Sequence, residues 1–373
     1  MSTEKAWLAR CAAVIPSLAP DTALPDYVTA LLARGFGQVV VVDDGSGPSY
    51  AGIFASLESL EGCTVLRHEV NHGKGRGLKT AFGYILGRPD WEGMAVVTAD
   101  ADGQHSVEDV CRVALETLER PDGLVLGARD LTQAHVPAKS KAGNRATSLA
   151  FRVLYGPYLP DTQTGLRGIP YSLLAWCGEI KGDRYEYEMN MLIRAAREKR
   201  PIRQVSIEAI YYNNNEGTHL RAIRDSWRVF AILISGLGWY TLSALLSAVA
   251  DVAAFTICDT WIFSALTPVF CYLWSTLAAR IISSALNYTL NRRFVFHARP
   301  QRRAVVRYYI LWLCQLAASY GLLLAFSWLL PWLHDSVNKA VGDIILAVCS
   351  YQIQMHWVFA HPDGIKTRSG GNS

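Results

Sequence analysis

Gln38-Val-Val-Val-Val42-Asp43-Asp44-Gly45-Ser46 is the stretch on which the fold turns. Four consecutive valines suit a strand buried on both faces, as in a parallel sheet with helices on either side. The run ends in two acids and a Gly-Ser turn, the signature of a strand leaving the core. Similar short apolar runs lie on either side, at 12–15 (closed by Pro16), 63–66, 95–98 and 124–126. Between them, Tyr27, Leu31 and Leu32 take helical spacing over 26–33 before Gly35, and a further helix is predicted over 78–86. Strand and helix in alternation predict an α/β domain with a mainly parallel sheet. Ligands of such sheets bind beyond the carboxyl ends of the strands.

Those ends carry acids. After the strand ending at Thr98 comes Asp100-Ala-Asp102-Gly-Gln104-His105. Two carboxylates and an amide oxygen form an all-oxygen donor set, which favours Mg²⁺ or Mn²⁺ over zinc. A turn-forming Asp-x-Asp-Gly without metal is the plainer alternative. Asn71-His-Gly73-Lys74-Gly75-Arg-Gly77 precedes a helix and lacks the spacing of a P-loop or a dinucleotide fingerprint. Its backbone N–H groups and Lys74 still suit a phosphate at a helix N-terminus, although a flexible basic loop reads equally well.

Ile15-Pro16, Asp43-Asp44-Gly45-Ser46, Asn71-x-Gly73-Lys74-Gly75, Asp100-Ala-Asp102-Gly-Gln104-His105 and Asp161-Thr-Gln163-Thr164-Gly165-Leu-Arg167 follow one another in this order. The series resembles family-2 glycosyltransferases, and within them the dolichyl-phosphate mannosyltransferase and polyprenyl-phosphate glycosyltransferase branch, over about residues 11–230. The resemblance implies a GT-A fold, a nucleotide-diphospho-sugar donor and a divalent metal at Asp100, Asp102 and Gln104. It also places Pro16, Asp43, Asp44 and Lys74 in the donor pocket. The family usually continues after its first strand with a polar Asn-Glu pair. Here Ser17-Leu18-Ala19-Pro20 stands instead.

Transfer of a sugar from a nucleoside diphosphate develops negative charge on the leaving phosphate, which a divalent ion stabilises without protonation. A hydroxyl acceptor needs a base, whereas a phosphate monoester, with a second pKa near about 6, arrives ionised and needs cationic positioning. Arg129 and Arg145 resemble the family's phosphate-contacting arginines, whose planar forks suit that task. Asp161 is assigned to orienting the site. Arg167 either contacts the acceptor phosphate or pairs internally with Asp161. Residues 132–141 look like the family's mobile acceptor loop, and Tyr185-Glu-Tyr-Glu188 like its acidic-aromatic pair, for which a structural role is equally open.

The net charge of +4 and the absence of a basic block with interleaved aromatics argue against nucleic acid. Eight cysteines without a Cys-x-x-Cys pair read as reduced packing residues. The N-terminus reads as a first strand and not a secretory signal, because Arg10 interrupts it and no cleavage pattern follows.

The last third turns apolar. Residues 218–236 carry Arg221, Arg224 and Arg228 on one stripe and Leu220, Ile223 and Trp227 on the next, as an interfacial amphipathic helix does. Four apolar segments follow, at 239–263, 268–290, 305–330 and 338–359, each near the roughly 20 residues that cross a bilayer. The second connection holds Arg292, Arg293, Arg299, Arg302, Arg303 and Arg307, while the first and third hold no arginine. The positive-inside rule then puts both termini and the catalytic domain in the cytoplasm. Asp251 and Arg280 fall near the middle of their segments, where ionisable groups are costly, and are expected to pair or to line a polar path.

No internal repeat is apparent, although Asn287-Tyr-Thr-Leu-Asn291-Arg-Arg-Phe-Val-Phe296 is echoed by Gln352-Ile-Gln354-Met-His-Trp-Val-Phe359. Both resemble signatures of GtrA-like four-helix membrane domains, which are associated with polyprenyl-linked sugars.

The expected organisation is a GT-A domain at 1–217, the interfacial helix at 218–236, an all-α GtrA-like domain of four transmembrane helices at 237–361, and a cytoplasmic tail at 362–373. The expected function is inverting transfer of a hexose from a UDP- or GDP-sugar to a polyprenyl phosphate, undecaprenyl phosphate by default, at the bacterial inner membrane. The partners are therefore donor, lipid acceptor and bilayer, and a homo-oligomer is left open. The alternative is a flippase whose soluble domain loads its substrate. A processive synthase is disfavoured because no Gln-x-x-Arg-Trp run follows the catalytic domain.

Overall fold

The computed structural model describes residues 3–133, 136–210, 222–296, 298–330, 332 and 334–360. The chain divides into two units, Met1–Arg152 with Pro157–Leu233, and Val153–Gly156 with Ile234–Ser373.

The first unit is built on seven strands: β1 (Cys11–Ser17), β2 (Gln38–Asp44), β3 (Cys63–His68), β4 (Ala95–Thr98), β5 (Leu124–Arg129), β6 (Arg167–Pro170) and β7 (Ile202–Ile207). Their order is β3-β2-β1-β4-β6-β5-β7. β6 runs antiparallel to β4 and β5, and every other pair is parallel. The helices are α1 (Thr3–Leu8), α2 (Leu24–Arg34), α3 (Ala51–Glu58), α4 (Lys74–Leu86), α5 (Val107–Glu119), α6 (Ala138–Tyr155), α7 (Tyr171–Gly178) and α8 (Glu186–Arg197).

The valine run explains the layering. Val39 and Val41 pack into a core with Val28 and Leu31 of α2, Phe54 of α3 and Val110 of α5. Val40 and Val42 pack on the other face, with Leu78 and Phe82 of α4, Leu174 of α7 and Tyr187 of α8. All four valines are fully buried, at about 1.5–3 kcal/mol of transfer free energy each. Register then aligns the strand ends: Pro16 lies opposite Val42, and Ser17 opposite Asp43.

Two local expectations are corrected. Helix α4 begins at Lys74, so the lysine opens the helix instead of belonging to a preceding loop. Residues 138–141, expected in a mobile loop, form the first turn of α6, while residues 134 and 135 lie outside the described residues.

The second unit holds α9 (Ala222–Ile257) from Ile234 onward, α10 (Pro268–Leu290), α11 (Arg302–Leu329) and α12 (Asp335–Ile353). Among the described residues three helical segments are long and apolar enough to cross a membrane: Phe230–Ile262, Pro268–Val295 and Arg302–Leu329. Helix α12 is long as well, but its apolar run is broken by Lys339 and Asp343, which pair at 2.5 Å one turn apart. Of the amphipathic stretch 218–236, residues 218–221 lie outside the described residues and the remainder opens α9.

The echo between the ends of the second and fourth apolar segments has a structural counterpart. Helices α9, α10 and α12 end in π-turns, Cys258–Ile262, Asn291–Val295 and Gln354–Val358, whose last amide bonds back five residues. Phe296 N–H donates to Asn291 O at 2.9 Å and Phe359 N–H to Gln354 O at 2.8 Å. Phe296 and Phe359 stack with centroids 5.0 Å apart. The side chain of Asn291 donates to Gln354 Oε1 at 3.2 Å, joining equivalent positions 63 residues apart. The ends of α10 and α12 are therefore joined through a buried amide pair. Tyr240, Ser243, Asn287, Tyr308 and Ser350 complete this polar core.

Candidate active site

The site gathers at the carboxyl ends of β1, β2, β4 and β5, beside the loop 161–166 and the starts of α4 and α8. Asp43 and Asp44 end β2 and are both buried. Asp43 Oδ1 accepts the Ser46 amide at 2.9 Å, shaping the turn. Asp44 is more heavily engaged. Its Oδ1 accepts His68 Nδ1–H at 2.7 Å and the His72 amide at 3.0 Å, and its Oδ2 accepts the Gly73 amide at 2.6 Å. Asp44 therefore fastens the glycine-rich loop to the sheet. Gly73 has φ +103°, and a Cβ there would lie 2.5 Å from the Asp183 carbonyl oxygen, so only glycine fits. His68 in turn meets Thr80 Oγ1 at 2.9 Å.

Lys74 forms the centre. Its Nζ lies 2.5 Å from Asp100 Oδ1 and 3.0 Å from Glu188 Oε1, joining the α4 start, the β4 end and α8. Burial works against the ammonium, but Asp100 and Glu188 outweigh it and raise its pKa. Burial likewise opposes the Asp100 carboxylate, and Lys74 then His105 reverse that, holding it at about 2. Gly165 permits this contact: a Cβ there would sit 2.4 Å from Asp100 Oδ2 and 2.8 Å from Lys74 Nζ. Thr98 Oγ1 donates to Gly165 O at 2.7 Å and keeps the loop in place.

The Asp100–His105 loop closes on itself. Asp100 N–H donates to His105 Nδ1 at 3.1 Å, and Gln104 N–H to Asp102 Oδ1 at 3.1 Å. Asp102 stands exposed at one side. Desolvation by the loop, and after it the charge of Asp100, raise its pKa. Among the described residues no three His, Cys, Asp or Glu side chains converge as a metal cage. Two neighbouring carboxylates that repel each other are nonetheless a fitting half-site for Mg²⁺ or Mn²⁺. Such ions are held by one or two carboxylates, with substrate phosphates and water supplying the rest. Asp100 and Asp102 would hold the ion, with Gln104 beside them.

Arg129 ends β5. Its Nε and Nη2 grip Asp161 Oδ2 and Oδ1 at 2.6 and 3.1 Å, and its amide reaches Oδ2 at 3.3 Å. Asp161 is 0% exposed. A carboxylate so enclosed fixes the arginine in one orientation. Arg145 is exposed on α6, beside Asn144, which is buried against the Pro160 carbonyl. Arg167 departs from the expectation of an acceptor contact. It is 1% exposed, donating to Thr164 O at 3.1 Å and Glu188 O at 2.6 Å. It therefore ties the 161–166 loop to α8, and Arg129, not Arg167, is the partner of Asp161.

Sequence reasoning missed His68 altogether and gave Glu188 no definite role. The Lys74–Glu188 and Asp44–His68 contacts join residues far apart in the chain, and no local spacing announces them. In the second unit Asp251 and Arg280 stand 3.6 Å apart, and Ser283 Oγ donates to Asp251 Oδ1 at 2.7 Å.

Parallel strands ending in paired acids, followed by apolar helices, define a GT-A-type glycosyltransferase domain joined to a membrane domain. The chain belongs to glycosyl transferase family 2, whose description it matches over residues 13–172, and residues 239–359 match the GtrA/DPMS transmembrane domain. It is 30% identical over 230 residues to the UDP-N-acetylglucosamine–dolichyl-phosphate N-acetylglucosaminyltransferase of Methanococcus voltae, covering 56% of this chain and 89% of that one. It is 29% identical over 213 residues to an uncharacterized protein of Methanocaldococcus jannaschii, covering 56% and 85%. The Mycobacterium tuberculosis glucosyl-3-phosphoglycerate synthase, solved with Mn²⁺, UDP and glucosyl-3-phosphoglycerate, matches with a TM-score of 0.47 and 18% identity, over 63% of this chain and 84% of that one.

Proposed function

We propose that the protein transfers a hexose from a nucleotide-diphospho-sugar to a polyprenyl phosphate, undecaprenyl phosphate in a bacterium, at the cytoplasmic membrane face. The observation that carries this reading is the state of the carboxylates. Asp100 and Glu188 share the Lys74 ammonium, and Asp161 is gripped by Arg129. None of these three acids is free to serve as the base that a hydroxyl acceptor would require, while an ionised phosphate needs none.

An acceptor phosphate oxygen attacks the sugar C1 as the C1–O bond to the nucleoside diphosphate breaks, which inverts C1 and moves no proton. Lys74, at the opening of α4, is placed to meet donor phosphate, and the loop amides that Asp44 aligns lie beside it. Arg129, held rigid by Asp161, and Arg145 bind and orient the acceptor phosphate. A divalent ion held by Asp100 and Asp102 supplies Lewis-acid stabilisation of the leaving diphosphate when bound. The Methanococcus voltae relative, named for a UDP-sugar donor and a dolichyl-phosphate acceptor, supports UDP and a polyprenyl-type lipid.

The test is transfer of labelled sugar from a panel of UDP- and GDP-sugars into lipid extract containing undecaprenyl phosphate. EDTA and Asp102→Asn serve as controls. Metal-dependent label in lipid from one donor, lost in the variant, supports the reading; label in water-soluble product alone rejects it.

A second reading gives the membrane unit a transport role for the sugar lipid. One observation favours it: Asp251 and Arg280 line a cavity among the apolar helices together with Ser283, Asn287 and Gln315.

A further inference from the structure

The glycine-rich loop and the start of α4 are held by a chain of side-chain contacts in which His68 is the middle link. His68 closes β3, and its side chain is 11% exposed. Asp44, which takes its Nδ1–H, closes the neighbouring β2, and the two residues lie opposite each other in register. A carboxylate only accepts, so Nδ1 carries the hydrogen. In the neutral ring Nε2 is then left to accept the Thr80 hydroxyl at 2.9 Å. Thr80 sits on α4 beyond Lys74, roughly 9 Å further along the axis at the helical rise. The ring of His72 meets that of His68 edge-on, with centroids 5.2 Å apart. Thr80 thus holds His68, His68 holds Asp44, and Asp44 holds the His72 and Gly73 amides immediately before Lys74.

The other side of α4 is fastened separately. Arg76 and Lys79 both pair with Asp183, at 3.0 and 3.1 Å, and Lys79 also donates to the Gly182 carbonyl at 2.7 Å. Those contacts hold the body of the helix without help from His68. What His68 adds acts on the turn before α4, where Gly73 has no side chain with which to hold the chain. Loss of His68 therefore loosens the loop and leaves the helix in place.

We infer that His68 is a positioning residue for the nucleotide-sugar donor, holding Asp44 so that the loop and Lys74 stand ordered before the donor arrives. The donor rests on the proposed reaction; the relay rests on the contacts alone. A loop that takes the binding form only part of the time loses affinity by that fraction. Once the donor is bound the loop is in place, so the cost falls on KM for the donor and not on kcat.

The experiment measures equilibrium binding of radiolabelled UDP and GDP to the full-length protein with Mg²⁺. Donor and acceptor kinetics are measured on the same preparations. An asparagine amide stands where His Nδ1–H does and cannot reach Thr80; glutamine reaches toward Thr80 and gives up Asp44. His68→Gln is expected to weaken nucleotide binding and raise donor KM about tenfold, as loss of a hydrogen bond to a charged group does. Its kcat and acceptor KM are expected to stay within about twofold of the wild type. His68→Asn is expected to restore most of the affinity, and Thr80→Val to lose about threefold. Thr80→Val leaves the His68–Asp44 pair intact and decides the matter should His68→Gln fail to fold.

Folded variants with unchanged nucleotide affinity and donor KM would confine His68 to packing and overturn the inference. So would a fall in kcat at constant donor KM, or His68→Asn binding as weakly as His68→Gln. Nucleotide binding that follows the variants, without transfer to lipid, would sink the proposed reaction and leave the role of His68 standing. Transfer to lipid with all variants equal to the wild type would do the reverse. A wild type that binds neither UDP nor GDP overturns both.

Discussion

At the scale of single residues, the site is organised by contacts that cross the sequence. Lys74 lies between the buried Glu188 and the half-buried Asp100, so removing its charge leaves both uncompensated. Lys74→Met is expected to destabilise the protein by about 3 kcal/mol, the lower end for a broken buried pair. It should also lower kcat by about 100-fold or more, as removal of a preorganised cationic group does. Denaturant titration and donor-saturated kinetics check the two effects; full activity with lowered stability would confine Lys74 to structure. What the sequence made legible here were acids at strand ends, since their place follows from the valine run and the parallel sheet. Partnership was not legible. Arg167 carries the side chain that binds phosphate elsewhere, yet it is spent on carbonyls of the 161–166 loop and α8. Only the three-dimensional path of the chain distinguishes it from Arg129.

At the scale of elements, the 161–166 loop and the π-turns that end α10 and α12 matter most. Gly165 sits where any Cβ would collide with the Lys74–Asp100 pair. Gly165→Ala should therefore displace that pair and cost about 1–3 kcal/mol, the usual penalty of overpacking. Its activity should fall with that of Lys74→Met, and the double variant should be no worse than the lysine variant alone. The neighbouring strand β6 was not foreseen, because Arg-Gly-Ile-Pro offers neither alternation nor an apolar run. It is a strand because β4 and β5 enclose it and supply its ladder. The contact between the ends of α10 and α12 was equally hidden, because Asn291 and Gln354 lie 63 residues apart. A double-mutant cycle on Asn291→Leu and Gln354→Leu should yield a coupling of about 0.6–1.7 kcal/mol, the range for hydrogen bonds between membrane helices. Zero coupling would mean that the helices do not rely on this pair.

For the whole molecule, two units of different physics share one chain. The first is a sheet with helices on both faces; the second is a set of helices with exposed apolar side chains. The change in composition after about residue 230 announced this division. The number of crossings was less legible, because Lys339 and Asp343 neutralise each other only once α12 is formed. Four crossings put both termini on one side of the membrane, and three separate them. A reporter fused after Ser373 should be active on the cytoplasmic side, together with one fused before Met1; opposite sides would reject the fourth crossing.

The central claim is that a lipid phosphate attacks the sugar carbon itself, and the released nucleotide reports this most directly. The purified full-length protein, given its nucleotide-sugar and undecaprenyl phosphate, is predicted to release the nucleoside diphosphate in equal amount to a lipid that carries the sugar through one phosphate. Release of the nucleoside monophosphate, with a lipid carrying two phosphates, would show attack at phosphorus and contradict the account.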